Sequence, residues 1–128
     1  MSGQKIYKPK ILVTGSNGFI GFHLVQFLLE KNIKVIGIDN LSSVSKYTQK
    51  LRTKILKKNK KFKFYKIDLK KINSLAKVND KIDLIIHLAA QPGVRFSMEQ
   101  PIETFSNNIN GYINLLEFAK KKKIKSII

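Results

Sequence analysis

The stretch VTGSNGFIG, residues 13–21, decides the fold because it places three evenly spaced glycines directly after a short apolar run. The apolar run is typical of a buried strand, and the residues after the glycines repeat with the period of a helix. Gly15 suits the sharp turn out of the strand, Gly18 the approach of backbone to a pyrophosphate, and Gly21 the close packing of helix on sheet. The free N–H groups at the helix start attract an anion. The stretch therefore predicts a phosphate-binding turn.

A glycine triplet points to a dinucleotide only when an acidic residue ends the next strand, about 20 residues further on. Asp39 occupies that position at the end of VIGID. Its carboxylate can accept both hydroxyls of an adenosine ribose and would repel a 2′-phosphate. Asn40 follows it instead of an arginine, so we expect NAD rather than NADP, although Lys46 is near enough in sequence to keep NADP open. The alternative is that Asp39 only caps a turn.

Short apolar runs alternate with longer periodic segments along the chain, which predicts right-handed crossovers and a parallel sheet. The expected strands are residues 10–14, 33–39, 62–68 and 82–90, with a fifth beginning at 124–128. The expected helices are residues 19–31, 43–58 and 102–123, with a short helical turn at 72–77 and a loop at 91–100. The predicted fold class is α/β, a doubly wound, Rossmann-like parallel sheet with strand order 3-2-1-4-5, truncated in the fifth strand. Residues 1–128 would form one NAD-binding domain, incomplete because the sequence ends within its fifth strand.

Apolar spacing also predicts which face each helix buries. The first helix would bury a stripe formed by Phe19, Ile20, Leu24, Phe27 and Leu28. The second would turn three residues inward, namely Leu51, Ile55 and Leu56. Asn32 can close the first helix in a left-handed turn, and Pro101 suits the first position of the last helix.

Composition excludes several classes of protein. The chain has no cysteine, which excludes disulfides, thiolate zinc sites and cysteine nucleophiles. No apolar run approaches the roughly 20 residues of a membrane helix, and the apolar part of the first residues is too short for a secretory signal. We therefore expect a cytoplasmic protein with no membrane partner. His23 and His87 are far apart and have no acidic cluster nearby, so no metal site is expected.

The net charge of +17 raises the alternative of a nucleic-acid-binding protein. All the basic residues are lysines except Arg52 and Arg95, whereas readers of bases and phosphates favour the arginine fork. The lysine runs at 57–61 and 120–123 fall where helices are expected to end, and there they complement the helix dipole. Nucleic acid is therefore the less favoured partner.

The motifs resemble those of the extended short-chain dehydrogenase/reductase family, the NAD-dependent epimerases and dehydratases. ILVTGSNGFIGFHLVQFLL (11–29) and IGIDNLS (36–42) are similar to the family's G-x-x-G-x-x-G turn and second strand. IIHLAAQPGVRFS (85–97) resembles its fourth strand and the loop that follows, and NNINGYINLLEFA (107–119) its N-x-x-G-x-x-N-L-L-E helix. Within the family, AAQPGVRFS is most similar to the nucleotide-sugar 4-epimerases that act on UDP-glucuronate. The resemblance covers only the N-terminal part of such an enzyme, and it implies that the substrate domain is absent from residues 1–128.

The resemblance implies an NAD site assembled from separate parts of the chain. Beyond the glycine turn and Asp39, KIDLKK (66–71) would contact adenine, the loop after the fourth strand would line the nicotinamide side, and the first asparagine of the last helix motif would position that strand. The implied cofactor-binding residues are Gly15, Asn17, Gly18, Phe19, Ile20, Gly21, Asp39, Asn40, Asp68, Leu69, Leu88, Ala89, Ala90 and Asn108. Gln91 and Arg95 are the substrate candidates. The Arg95 fork suits a diphosphate or a sugar carboxylate, or it pairs with Glu99.

In that family, NAD takes hydride from C4 of the sugar while the tyrosine of a Y-x-x-x-K motif removes the hydroxyl proton, and hydride returns to the other face. No tyrosine of this chain has a lysine four places on: Tyr7, Tyr47, Tyr65 and Tyr112 all fail. We assign no catalytic residue and expect the chain alone to be inactive, with a nucleotide sugar as substrate of the complete enzyme. A stand-alone, non-catalytic dinucleotide-binding module is the alternative. An uncovered fifth strand would favour self-association, for example as a homodimer.

Overall fold

The computed structural model describes residues 6–128, at whose centre lies a parallel sheet of four strands. The basic start of the chain, residues 1–5, lies outside the described residues. The strands are β1 (Lys10–Thr14), β2 (Lys34–Asp39), β3 (Phe62–Lys66) and β4 (Leu84–His87). They lie in the order β3-β2-β1-β4, and every neighbouring pair is parallel. The predicted fold class and the order 3-2-1-4 are therefore confirmed.

Helices connect the strands and cover both faces of the sheet. They are α1 (Phe19–Glu30), α2 (Lys46–Lys57), α3 (Val94–Glu99), α4 (Pro101–Phe105) and α5 (Gly111–Lys122). A 3-10 turn spans Ser74–Lys77, and a π-helical turn, Ser106–Asn110, joins α4 to α5. None of the helices in the described part of the chain is long and apolar enough to cross a membrane.

Alternation along the strands divides the core into two layers, because successive side chains of a strand point to opposite faces. On one face, Leu12 and Ile36 pack with Leu115 and Phe118 of α5. On the other face, the strand residues pack mainly against α1, with α2 alongside; this layer contains Ile11, Val13, Val35, Phe22, Val25, Leu28, Leu29 and Leu56. Helices on both faces of a parallel sheet are the doubly wound arrangement.

The predicted buried stripe of α1 is largely wrong. Phe19, Ile20 and Phe27 are 71%, 66% and 52% exposed. The helix instead buries the set Gly21, Phe22, Val25, Leu28 and Leu29. Both sets repeat with the helical period, and α1 carries apolar residues around most of its circumference, so spacing alone could not select the face. In α2, Leu56 is buried and Ile55 half-buried, but Leu51 is exposed.

The last third of the chain differs most from expectation. Residues 91–100 are not all loop, because α3 occupies six of them. The expected long helix begins at Pro101 as predicted, but the π-helical turn interrupts it before α5. The fifth strand is limited to a parallel bridge between Ile85 and Ile127, in which the Ile128 amide donates to the Ile85 carbonyl at 2.9 Å. Asn32 has a φ of 65° directly after α1, as predicted.

Candidate cofactor site

A cavity of about 500 Å³ opens at the carboxyl end of the sheet. Its walls come from the turn after β1, the ends of β2 and β3, and the loop after β4. Because β2 and β4 lie on opposite sides of β1, the chain reverses its direction of winding here, and ligands of doubly wound sheets bind at such a point. We refer to it below as the carboxyl-end cavity.

The glycine turn lines this cavity, and Gly15 and Gly21 have no room for a side chain. Gly15 has a φ of +69°, and a Cβ atom on it would lie 2.8 Å from the Ala89 amide nitrogen. A Cβ atom on Gly21 would lie 2.0 Å from the Gly15 carbonyl oxygen, and one on Gly18 would lie 3.2 Å from the same oxygen. Among residues 6–128, no side chain forms a capping hydrogen bond at Gly18, where α1 begins. The first-turn amides of α1 are therefore left without a capping side chain beside a cavity that backbone alone can approach.

Asp39 is held at the cavity wall by two backbone amides. Its Oδ2 accepts a hydrogen bond from the Asn17 amide at 2.9 Å, and its Oδ1 accepts one from the Leu41 amide at 2.7 Å. The side chain is only 8% exposed, yet it lines the cavity. Asp39 therefore does cap the turn after β2. Each carboxylate oxygen also keeps a lone pair for another donor, so the same side chain can also receive hydroxyl groups.

Arg52 of α2 stabilises the glycine turn through a hydrogen bond to its backbone. Its Nη1 donates to the Asn17 carbonyl at 2.7 Å, and its guanidinium lies 5.4 Å from the centre of the Phe22 ring. The Asn17 side chain is fully buried and donates from Nδ2 to Thr53 Oγ1 at 2.7 Å. Arg52 also lines the cavity, whereas Asn17 does not. Asn17 thus supports the turn, and α2 determines its position.

Thr14 ties the glycine turn to the loop after β4. Its buried Oγ1 accepts from the Leu88 amide at 3.1 Å and the Ala89 amide at 3.2 Å, and it lies 2.7 Å from His87 Nδ1. Since both lone pairs of the hydroxyl are used, its proton is assigned to the bond with Nδ1, which places the imidazole proton on Nε2. Burial lowers the pKa of His87, and the Tyr112 ring stacks on it at 5.2 Å. This network requires a neutral His87.

Asn108 fixes the other end of the same loop. Its Oδ1 accepts from the Gln91 amide at 2.7 Å, and its Nδ2 donates to the Gln91 carbonyl at 3.3 Å. The residue lies in the π-helical turn, a widened geometry that recurs at functional sites. Asn108 does not line the cavity, although Asn107 does. Its place in the structure is therefore that of a support for the loop carrying Leu88 to Gln91.

Asp68 and Leu69 form the wall beside β3. Asp68 Oδ1 accepts from the Lys70 amide at 3.2 Å, and the Leu69 carbonyl accepts from Asn114 of α5 at 2.8 Å. Both residues line the cavity beside the end of β2, where the Ile67 amide donates to the Asp39 carbonyl at 3.1 Å. This wall combines apolar surface with one carboxylate and one lysine, Lys70.

The structure brings most of the predicted site residues together. Those that line the cavity are Gly15, Gly18, Phe19, Ile20, Gly21, Asp39, Asn40, Asp68, Leu69, Leu88, Ala89, Ala90 and Gln91. Arg95 does not: its side chain is 91% exposed and pairs with Glu99 at 2.9 Å. The lining residues that sequence reasoning missed are Ile38, Ser42, Ser43, Val44, Arg52, Ile67, Lys70, Pro92 and Asn107. Arg52 carried a usable signal, since it is one of two arginines among many lysines.

No group of three or more potential metal ligands occurs within residues 6–128. His23 packs edge-on against Phe19 and Phe22, and His87 belongs to the Thr14 network. The charged side chains that line the candidate site are Asp39, Asp68, Arg52 and Lys70.

The amino-acid sequence of this chain is similar to those of known proteins. A family model described as GDP-mannose 4,6 dehydratase matches residues 12–128. A UDP-glucuronate 4-epimerase from Thermodesulfobacterium geofontis is 42% identical over 120 residues, covering 91% of this chain and 37% of that protein.

Two solved structures resemble the fold closely. A UDP-glucuronic acid 4-epimerase mutant from Bacillus cereus, in complex with UDP-4-deoxy-4-fluoro-glucuronic acid and NAD, has a TM-score of 0.81 and 37% identity, over 92% of this chain and 38% of that chain. The UDP-Glc/GlcNAc 4-epimerase from Campylobacter jejuni has a TM-score of 0.83 and 30% identity, over 93% of this chain and 36% of that chain. This chain thus spans little more than a third of the length of each relative. Since the family model matches nearly all of it, the chain belongs to the GDP-mannose 4,6 dehydratase family of nucleotide-sugar epimerases and dehydratases.

Proposed function

We propose that this chain is the NAD-binding portion of a nucleotide-sugar epimerase similar to UDP-glucuronate 4-epimerase. The observation that carries the proposal is the Asp39 carboxylate, which two backbone amides hold at the wall of the carboxyl-end cavity. In the glycine turn beside it, a Cβ atom on Gly15 or Gly21 would clash with backbone atoms. A carboxylate beside a bare anion-binding turn suits the ribose and pyrophosphate of a dinucleotide.

The residues present fit NAD in three parts. Asp39 would accept hydrogen bonds from the adenosine ribose, and the first-turn amides of α1 would bind the pyrophosphate. Asp68 and Leu69 would contact the adenine. Leu88, Ala89 and Ala90, held by Thr14 and Asn108, would line the nicotinamide side. NAD would supply the hydride acceptor for oxidation at sugar C4 in the complete enzyme.

The proton-transfer group of the family reaction is absent from this sequence, since no tyrosine begins a Y-x-x-x-K motif. We therefore expect the chain to bind NAD without epimerising a nucleotide sugar. Gln91, at the cavity wall, is the better placed of the two substrate candidates. Arg95 stays a candidate only if its exposed pair with Glu99 opens.

We also propose that the chain self-associates through the outer face of its last helices. Ile102, Phe105, Ile113 and Leu116 are 84%, 63%, 51% and 41% exposed along this face. Exposed apolar patches of this kind favour association. Sedimentation velocity over a range of concentrations would measure it, and Phe105→Ser together with Ile113→Ser should shift the chain toward monomer.

Calorimetric titration of the 128-residue chain with NAD tests the cofactor proposal directly. We expect a dissociation constant on the order of micromolar for the intact chain. Asp39→Asn should weaken it by about tenfold or more, because a charge-assisted hydrogen bond is worth roughly 1.5–3 kcal/mol. In the same variant, the ratio of the NADP dissociation constant to the NAD dissociation constant should fall. Glu99→Gln removes an equal charge outside the cavity and should leave both affinities unchanged. A folded chain that binds no NAD would sink the proposal.

A further inference from the structure

A second cavity, of about 200 Å³, opens at the opposite, amino end of the sheet. Its charged lining consists of Lys10, Lys34, Lys60, Lys61, Lys63 and Asp80. Lys10 and Lys34 are the first residues of β1 and β2, Lys60 and Lys61 directly precede β3, and Lys63 is the second residue of β3. Because parallel strands all begin at one edge, these positions meet although they are far apart in sequence. We call this site the lysine cavity.

The single acidic residue of the lysine cavity is already engaged. Asp80 Oδ2 accepts from Lys63 Nζ at 3.0 Å and from the Tyr65 hydroxyl at 2.9 Å, while Oδ1 lies 3.7 Å from Lys10 Nζ. Burial would raise the pKa of Asp80, but the hydrogen bonds from Lys63 and Tyr65 hold it below its usual value. Asp80 is therefore charged at neutral pH, and five lysines around it leave a formal excess of four positive charges.

Size restricts what could neutralise this excess. A water molecule occupies about 30 Å³ in the liquid, so 200 Å³ corresponds to roughly seven water volumes. That volume accommodates a few linked phosphate groups. Lysine binds phosphate as a point charge without demanding a fixed geometry, which matches a ring of long, partly exposed ammonium groups. The remaining lining residues, Val35, Ile36 and Phe62, are buried.

We propose that the lysine cavity binds a compact oligophosphate anion at a site separate from the NAD site. The anion would relieve repulsion among lysines that the strand starts hold together. It would also stabilise the fold by mass action, since the unfolded chain does not bring these lysines to one place.

The test is a calorimetric titration of the full chain with sodium tripolyphosphate at low and moderate salt. We expect saturable binding near one equivalent. The variant Lys34→Gln, Lys60→Gln, Lys61→Gln should weaken it by about tenfold, since each lysine adds to the salt-dependent phosphate affinity. The matched control, Lys120→Gln, Lys121→Gln, Lys122→Gln, removes the same charge from the exposed end of α5. It should change the affinity by less than about threefold. NAD affinity should be the same in both variants.

Amide chemical shifts provide a readout that does not depend on the variants folding. Tripolyphosphate should shift Val35 and Phe62 and leave Gly18 and Asp39 in place. Equal weakening in both variants would overturn the proposal, because net charge alone would then explain binding. Absence of saturable tripolyphosphate binding at low salt would overturn the proposal too. So would single-stranded RNA that binds more tightly than tripolyphosphate and loses equal affinity in the two triple variants. Competition between ATP and tripolyphosphate would show that the site accepts the phosphate tail of a nucleotide. If ATP does not compete, the ligand is a free oligophosphate.

Discussion

The two ends of the sheet are built from the same four strands but are organised differently. At the carboxyl end, the charged lining residues are Asp39, Asp68, Arg52 and Lys70, so the charges of the cavity balance. Asp39 and Arg52 are both hydrogen-bonded to backbone. At the amino end, lysines outnumber Asp80 five to one. The first end can select a ligand by shape and hydrogen-bond geometry, whereas the second can select mainly by charge. The two sites share the same strands in the same order, and they differ because backbone hydrogen bonds hold the charged side chains in place at the carboxyl end.

The largest effect is expected where the carboxyl-end cavity depends on the absence of a side chain. Gly21→Ala would place a Cβ atom 2.0 Å from the Gly15 carbonyl oxygen, so α1 must move off the sheet. We expect a loss of about 3 kcal/mol in the free energy of unfolding, measured by urea denaturation, and loss of measurable NAD binding. In Gly93→Ala the new Cβ would meet only Phe96, at 3.8 Å, although the φ is +111°. This control should cost about 1 kcal/mol of backbone strain, and equal losses would refute the packing argument.

The two arginines provide a sharper test of preorganisation. Arg52→Lys keeps the charge but loses the fork that donates to the Asn17 carbonyl. The glycine turn should loosen, and NAD affinity measured by calorimetry should fall by about tenfold, consistent with a hydrogen bond from a charged donor. Arg95→Lys alters an exposed side chain that pairs with Glu99 and should leave the affinity unchanged. If both variants bound NAD normally, the turn would not depend on α2.

Sequence reasoning recovered the four strands of the sheet because each depends on local pattern, and the order 3-2-1-4 followed from the rules for doubly wound sheets. The glycine turn, Asp39 and the alternation of apolar runs are all visible within short windows. Arg52 was missed because its contact with Asn17 joins residues 35 positions apart, which no periodicity records.

The misplaced elements have physical causes as well. The α1 face was misassigned because a helix that is apolar on most sides is oriented by the sheet it meets. Residues Val94 to Glu99 follow Pro92 and Gly93, which are typical of a loop, yet the amide of Ser97 bonds to the Gly93 carbonyl and begins a helix there.

The Thr14 network makes the carboxyl end sensitive to pH. Burial lowers the pKa of His87, so between about pH 6.5 and the lower folded value the unfolded chain binds more protons. Stability is therefore fully present above about pH 6.5 and declines as pH falls below it. His87→Gln, whose amide oxygen can still accept from Thr14, should remove this part of the slope in urea denaturation. His23→Gln should retain it, and an identical slope in the wild type and His87→Gln would contradict the assignment.

The smallest effect is expected at the amino end, where Asp80→Asn matches Asp39→Asn in chemistry but not in surroundings. The variant keeps an acceptor for the Tyr65 hydroxyl and loses two ion pairs, with Lys10 and with Lys63, whose side chain is 57% exposed. Since water screens such pairs, we expect a loss of at most about 1 kcal/mol at neutral pH. Because the pKa of Asp80 is lowered in the folded chain, the stability that its ion pairs contribute is present above about pH 4 and is lost as pH falls further.

Removing the Asp80 carboxylate also adds to the positive excess of the lysine cavity, so tripolyphosphate should bind about two- to threefold more tightly while NAD affinity stays constant. Weaker tripolyphosphate binding would mean that Asp80 positions the lysines, and the amino end would then be preorganised in the same way as the carboxyl end.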